Sequence, residues 1–314
     1  MRSTLFTLTL SLAFIPLSFS NLDIICNTDG DIYLLQVEED RILKSVNLTH
    51  HPAGDIEPRW SPDGQKIALS SGRDGNFEIY IMDLRRGKLK RMTYDPASDR
   101  APAWSPDGRK IAFISQRVPR GIYIMDILTG KTFYLKGTGL ANCITWRNRR
   151  KILLATTSKV EGSRLYLGDV LTGEIKELAF LAPPPPGVNR ISLSPDGGKL
   201  VFDSQHQRIR GSNQFDVYLM DLQEGSIGNL THHPSHDLYP CWTPDSQFIV
   251  FSSSREGSLD KSDIYFMTPD GKMRWQLKLE GWNTNPDVFD PRYAYHSVSS
   301  LIDLKRLMWG MIKR

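Results

Sequence analysis

The chain has 314 residues, 24% charged and 40% hydrophobic, with a formal net charge of +4. That balance is ordinary for a globular protein and argues against a disordered one. The 39 Lys and Arg residues are scattered rather than gathered into runs, which argues against nucleic acid as a partner.

The chain begins "MRSTLFTLTLSLAFIPLSFS". One charge, Arg2, precedes an apolar stretch broken by Pro16, with Ser18 and Ser20 at the −3 and −1 positions of a cut before Asn21. Residues 1–20 read as a secretory signal peptide, because the apolar stretch is short and Pro-interrupted for a span of ~20 residues. Cleavage removes only Arg2 and leaves a mature charge of +3. No later segment is long enough to cross a bilayer, so a periplasmic or secreted chain is expected, with no stable membrane insertion after cleavage. "DIIC" at 23–26 lacks the small residue that a lipoprotein cleavage box places before its Cys. Cys26, Cys143 and Cys241 are far apart without CxxC spacing, so zinc and dithiol chemistry are not indicated and three buried free thiols are expected.

From residue 22 onward the chain repeats itself. "LTHHPAGDIEPRWSPDG" (48–64) returns as "LTHHPSHDLYPCWTPDS" (230–246), with ten of seventeen positions identical. "WSPDG" at 60–64 recurs at 104–108, as a worn "WRNRR" at 146–150, as "LSPDG" at 193–197 and as "WTPDS" at 242–246; the spacings are 44, 42, 47 and 49. A period near ~40–50 residues is that of propeller blades. Within one copy, "IEPRW" is a strand, "SPDG" a turn, "KIALSS" a strand, "RDGN" a turn, "EIYIMDL" a strand, "RRGK" a turn and "LKRMT" the last strand. The third strand recurs at 31–37, 121–127, 164–170, 216–222 and 263–269, which makes six blades. The N-terminal piece 22–48 has strands two to four and no first strand. The C-terminal "NPDVFDPRY" (285–293) is a first strand with no partner, and Phe289-Asp290-Pro291 aligns with Trp60-Ser61-Pro62. The C-terminal strand is therefore expected to join the N-terminal blade and hide the sheet edges. The organisation is a signal peptide at 1–20, an all-β six-bladed propeller at 21–298 and a tail at 299–314. The tail's apolar residues at 301, 304, 308 and 311 or 312 fit a short amphipathic helix packed on the propeller. "APPPPGVN" (182–189) is a stiff connection between blades 4 and 5.

These residues carry a resemblance. "LTHHPAGDIEPRWSPDG" with "KIALSS" and "RDGNFEIYIMDL" resembles the repeat of the TolB-type, or WD-like, β-propeller over about 22–295. The same repeat occurs in Tol translocation proteins, in peptidase propeller domains and in some lyases, so it marks the fold and not one function. A full TolB has an α/β domain before its propeller, whereas here the propeller begins almost at the expected cleavage site. In Tol systems the propeller binds a lipoprotein at the mouth of its axial channel, and the resemblance implies that habit without naming the partner.

The expected function is an exported, non-catalytic interaction scaffold, monomeric, taking a protein or peptide at the channel mouth. Asp55, Glu57, Asp99, Arg100, His236, Asp237 and Tyr239 are the expected contacts, since alternate positions at the start of an innermost strand can point into the channel. An Asp there can instead cap its own turn. The contrasting expectation is a metal-dependent lyase acting on an oligosaccharide, built on His50, His51, His232, His233 and His236, because imidazoles suit zinc, manganese or iron. Against it, the Pro after each His pair explains the motif as a turn, and Tyr94-Asp95 replaces His-His in the intervening repeat. No GxSxG elbow, HExxH or phosphate-binding Gly-rich loop is present, so no cofactor is expected.

Overall fold

The computed structural model describes residues 22–158, 162–178, 187–207, 213–256 and 261–293. The expected signal peptide, most of the Pro-rich connection and the expected tail helix lie outside the described residues.

The turns begin locally. In "SPDGQK" the Ser61 hydroxyl donates to Asp63 Oδ1 at 2.6 Å and accepts the Lys66 N–H at 2.9 Å, while Asp63 Oδ1 also accepts the Gln65 N–H at 3.0 Å. Gly64 then takes φ +67°, a region that only glycine enters freely. Ser105 with Asp107, Ser194 with Asp196 and Thr243 with Asp245 build the same turn. Each turn joins an innermost strand to the next one outward, and two more antiparallel strands complete the blade.

Six four-stranded sheets result. Their innermost strands are Asn283–Phe289 in blade 1, Asp55–Trp60 in blade 2, Asp99–Trp104 in blade 3, Ala141–Trp146 in blade 4, Arg190–Leu193 in blade 5 and Asp237–Trp242 in blade 6. Blade 1 is closed as expected, by pairing of Asn283–Phe289 with Leu22–Thr28. The register slips by one from the sequence alignment. Val288 opposes Ile24 as Trp60 opposes Ile67, and Asn283 opposes Thr28 as Asp55 opposes Ser71. Val288 and Asn283, not Phe289 and Thr284, therefore hold the repeat positions. Phe289 lies one residue on, its ring 5.2 Å from that of Trp60.

The core lies between blades. Trp60, Trp104, Trp146 and Trp242 are all buried. The Trp104 indole donates to the Arg59 carbonyl at 3.2 Å and that of Trp146 to the Ala103 carbonyl at 2.9 Å, each reaching the preceding blade. The three cysteines are free and buried, and burial pushes the thiols of Cys26 and Cys241 up to about 12.

Candidate functional site

Four innermost strands contain a proline: Glu57-Pro58, Ala101-Pro102, Tyr239-Pro240 and Asn285-Pro286. Proline has no N–H for a ladder, so inside a sheet it marks a bulge or an edge. The ladders slip at each pair, between Ile56 and Arg59, between Arg100 and Ala103, between Leu238 and Cys241, and opposite the step from Ile25 to Asn27. The residues before the prolines take left-handed φ values of +56°, +54°, +57° and +52°. Such a conformation costs roughly 1–2 kcal/mol for a residue with a Cβ. The neighbouring blade holds it in place. The Ala101 N–H donates to Glu57 Oε2 at 2.8 Å and Ser70 Oγ at 3.2 Å, and the Tyr239 N–H donates to Asp203 Oδ2 at 3.1 Å.

A bulge re-aims side chains, and here they meet on the ring axis. Arg190 of blade 5 donates to Asn285 Oδ1 and to the Pro286 carbonyl of blade 1, both at 3.1 Å. Blade 6 stands between those two blades around the ring, so the bonds cross the axial channel. Arg59 of blade 2 faces the same cluster; burial and the like charge of Arg190 push its pKa down to about 10 against the pull of Asp287 and Glu57. Asp287 Oδ2 accepts the Trp60 N–H at 2.8 Å. Burial holds the carboxyls of Asp287 and Asp203 above the usual range despite the nearby guanidinium groups. Burial, with the charges of Asp203 and Glu57, also raises the Tyr239 phenol.

The three expected aspartates do something else. Asp55, Asp99 and Asp237 are 0% exposed, so no side-chain surface is left for a partner. Arg73 Nη2 lies 3.1 and 2.9 Å from the two Asp55 oxygens, and Arg255 Nη2 lies 2.9 Å from both Asp237 oxygens. Arg117 pairs with Asp99 through Oδ2 alone, and among the described residues Oδ1 has no hydrogen-bond partner. Each arginine also donates Nε to a serine two residues earlier, Ser71, Ser115 or Ser253. The guanidinium groups lie over Tyr80, Tyr123 and Tyr265 at 5.2, 4.7 and 4.8 Å. These aspartates anchor the chain at the channel mouth and do not line it. Nor do they cap their own turns, because the partner stands 18 residues away in each blade.

The remaining expected contacts are half-buried at the mouth. The Arg100 guanidinium lies 3.7 Å from the Phe77 ring centroid. His236 sits 6.0 Å from the Phe215 ring, and among the described residues its Nδ1 has no hydrogen-bond partner. Glu57 and Tyr239 reach the axial cluster, from blades 2 and 6.

The histidine pairs are turn-formers. His51 Nδ1 accepts the Ala53 N–H at 3.1 Å and His233 Nδ1 the Ser235 N–H at 3.3 Å. Asp95 accepts the Ala97 N–H at 2.9 Å in the equivalent loop, which explains why an aspartate can replace a histidine there. The preceding threonine is a latch: Thr49 and Thr231 accept the N–H groups of Ile32 and Val217 in their own blades. His50 and His232 are exposed on separate loops. Among the described residues no three His, Cys, Asp or Glu side chains are grouped to hold a metal ion.

The family described as TolB beta propeller domain matches residues 25–179. The crystal structure of TolB from Acinetobacter baumannii superposes with a TM-score of 0.70 at 22% identity, over 85% of this chain and 66% of that one. Residues 25–179 thus match the TolB propeller family, and the ring shares the propeller fold of the TolB structure. A Tol-Pal system protein TolB of Francisella tularensis is 24% identical over 248 residues, 77% of this chain and 55% of its own length. An uncharacterised peptidase of Bacillus subtilis, YuxL, is 26% identical over 247 residues, 77% of this chain and 29% of its own. The chain thus spans about half or less of the length of these curated relatives.

Sequence reasoning missed Arg59, Arg190, Asp203, Asn285 and Asp287. One signal was present: a proline inside a predicted innermost strand announces a bulge, and a bulge marks the residue before it. A second was Ser-x-Arg at 71–73, 115–117 and 253–255, in the same three blades that carry the aspartate.

Proposed function

We propose that this chain is a non-catalytic interaction scaffold of the cell envelope that receives a protein or peptide at the mouth of its axial channel. The observation that carries the reading is the convergence of the bulged residues with Arg59 and Arg190. Glu57, Arg59, Arg190, Tyr239 and Asn285 come from four blades to one axis, with Arg100 and His236 above them. Arg190 and Asn285 are buried and bonded to each other, while the half-buried Glu57, Arg59 and Tyr239 offer carboxylate, guanidinium and phenol groups to an inserted segment. Rigid propeller walls keep them preorganised, which lowers the cost of binding. The likeness to Tol-Pal system TolB and the signal-peptide character of residues 1–20 support an exported, periplasmic location.

The test is capture of partners from native envelope extract by the full chain, compared with the combined variant Arg100→Ala, His236→Ala and Tyr239→Ala. Hot-spot truncations at a channel mouth cost about 2 kcal/mol or more. Loss of the captured protein with an unchanged melting temperature supports the reading. Full retention by the folded variant overturns it.

A further inference from the structure

The opposite face of the ring carries the turns that end the innermost strands. Four blades place a carboxylate in that turn, Asp63, Asp107, Asp196 and Asp245, while in blade 1 Asp290 is buried against Arg292. In blade 4 the turn is "RNRR" at 147–150. Asn148 Oδ1 accepts the N–H groups of Arg150 at 2.9 Å and Lys151 at 2.8 Å, the task that Asp63 performs for Gln65. The neutral amide alone therefore maintains the turn. Nothing in the turn's own hydrogen bonding calls for the three arginines.

Those arginines border a cleft of about 620 Å³, lined by Pro106 of blade 3, Trp146 and the turn itself in blade 4, and Leu193 to Gly197 of blade 5. Three guanidinium groups stand against the single carboxylate of Asp196, a net of +2 among the lining residues. Arg150 is held by Asp169 at 2.6 Å. Arg149 is 69% exposed and reaches Asp107 only at 3.9 Å. Arg147 is exposed and makes no ion pair among the described residues. Pro106, Leu193 and Pro195 give the cleft an apolar side.

We infer that this cleft is a second docking site, which takes an acidic peptide segment carrying carboxylates beside an apolar residue. Guanidinium forks match carboxylates in geometry and charge. The apolar lining accepts the side chain between them, and the volume falls within the range of ligand pockets. An anionic membrane surface is the weaker occupant, because the turns of Asp63, Asp107, Asp196 and Asp245 carry carboxylates on the same face that would repel it. The site lies on the face opposite the channel mouth of the proposed function and does not depend on that reading.

The probe is a fluorescein-labelled Glu-Glu-Leu-Glu-Glu peptide, titrated with the full chain and followed by anisotropy at low and high salt. Salt-sensitive binding is expected, weakened about tenfold or more when Arg147→Gln and Arg149→Gln are combined, at roughly one charge-assisted hydrogen bond each. Asn148→Asp restores the carboxylate of the other blades. It should keep the turn and the melting temperature and weaken the probe as well. Lys88→Gln with Lys90→Gln removes equal charge from a separate cleft of about 280 Å³ and should leave binding unchanged. Failure of the peptide to bind overturns the inference. So does equal weakening by the Lys88 and Lys90 pair, or binding to phosphatidylglycerol vesicles but not to the peptide that disappears with Arg147 and Arg149.

Discussion

Replacing Asp237 with Asn tests whether the mouth aspartates are anchors. Asp237 is 0% exposed, and Arg255 Nη2 is 2.9 Å from both its oxygens. The Arg255 side chain is only 14% exposed. Its guanidinium keeps Ser253 at 3.0 Å and the Tyr265 ring at 4.8 Å, but no other carboxylate is paired with it among the described residues. Breaking a buried pair from one side costs about 3–5 kcal/mol, because the surviving charge stays desolvated. The ring contacts and the residual exposure place this case near ~3 kcal/mol. At roughly 2 °C per kcal/mol for a chain of this size, the melting temperature should fall by about 6 °C. Urea unfolding monitored by tryptophan fluorescence measures the change. Arg255→Leu should cost a similar amount, and the double variant less than the sum of the two, since the partners share one interaction. If Asp237→Asn changes the unfolding free energy by less than ~0.5 kcal/mol, or if the two losses simply add, the anchor account is wrong and the aspartate is free to serve a partner.

Gly64 and Gly108 both have φ +67°, so alanine meets the same backbone strain at each. A Cβ on Gly64 would stand 2.1 Å from the Phe289 ring, whereas on Gly108 its nearest atom is 3.8 Å away. Gly64→Ala should therefore destabilise by about 1–3 kcal/mol more than Gly108→Ala; equal melting temperatures would remove Phe289 from the ring closure. Burial, opposed by the Gln36 amide and helped by Asp290, pushes the Asp23 carboxyl from 3.8 up to about 6. The folded state then holds this proton more tightly than the unfolded one. Its stabilising effect is full below pH ~4 and is lost as pH rises through about 6. Asp23→Asn should gain about 2 kcal/mol over the parent above pH 6, after a discount for partial exposure, and little at pH 4; a difference that does not vary with pH contradicts it.

The blade number, the turn chemistry and the closing strand were legible in the residues, because each depends on neighbours a few positions away. Alternation of period two builds strands, and Ser-Pro-Asp-Gly sets its own φ angles and hydrogen bonds. The unpaired first strand at 285–293 could be matched to the incomplete first blade by counting. The alignment there was off by one, since Phe289 looks like Trp60 as a residue type while the ladder sets Val288 opposite Ile24. The histidine pairs were readable as turns from their prolines, although only coordinates show Nδ1 of His51 standing in for the carboxylate of Asp95. Ring closure decided the rest. Arg190 meets Asn285 across 95 residues because closing the ring brings blade 5 within reach of blade 1 past blade 6. Local preference says nothing about a contact of that kind. The mouth aspartates show the same limit: their position in the strand was predicted, but burial beside an arginine from the turn after the next strand turned an apparent binding ring into three internal ion pairs.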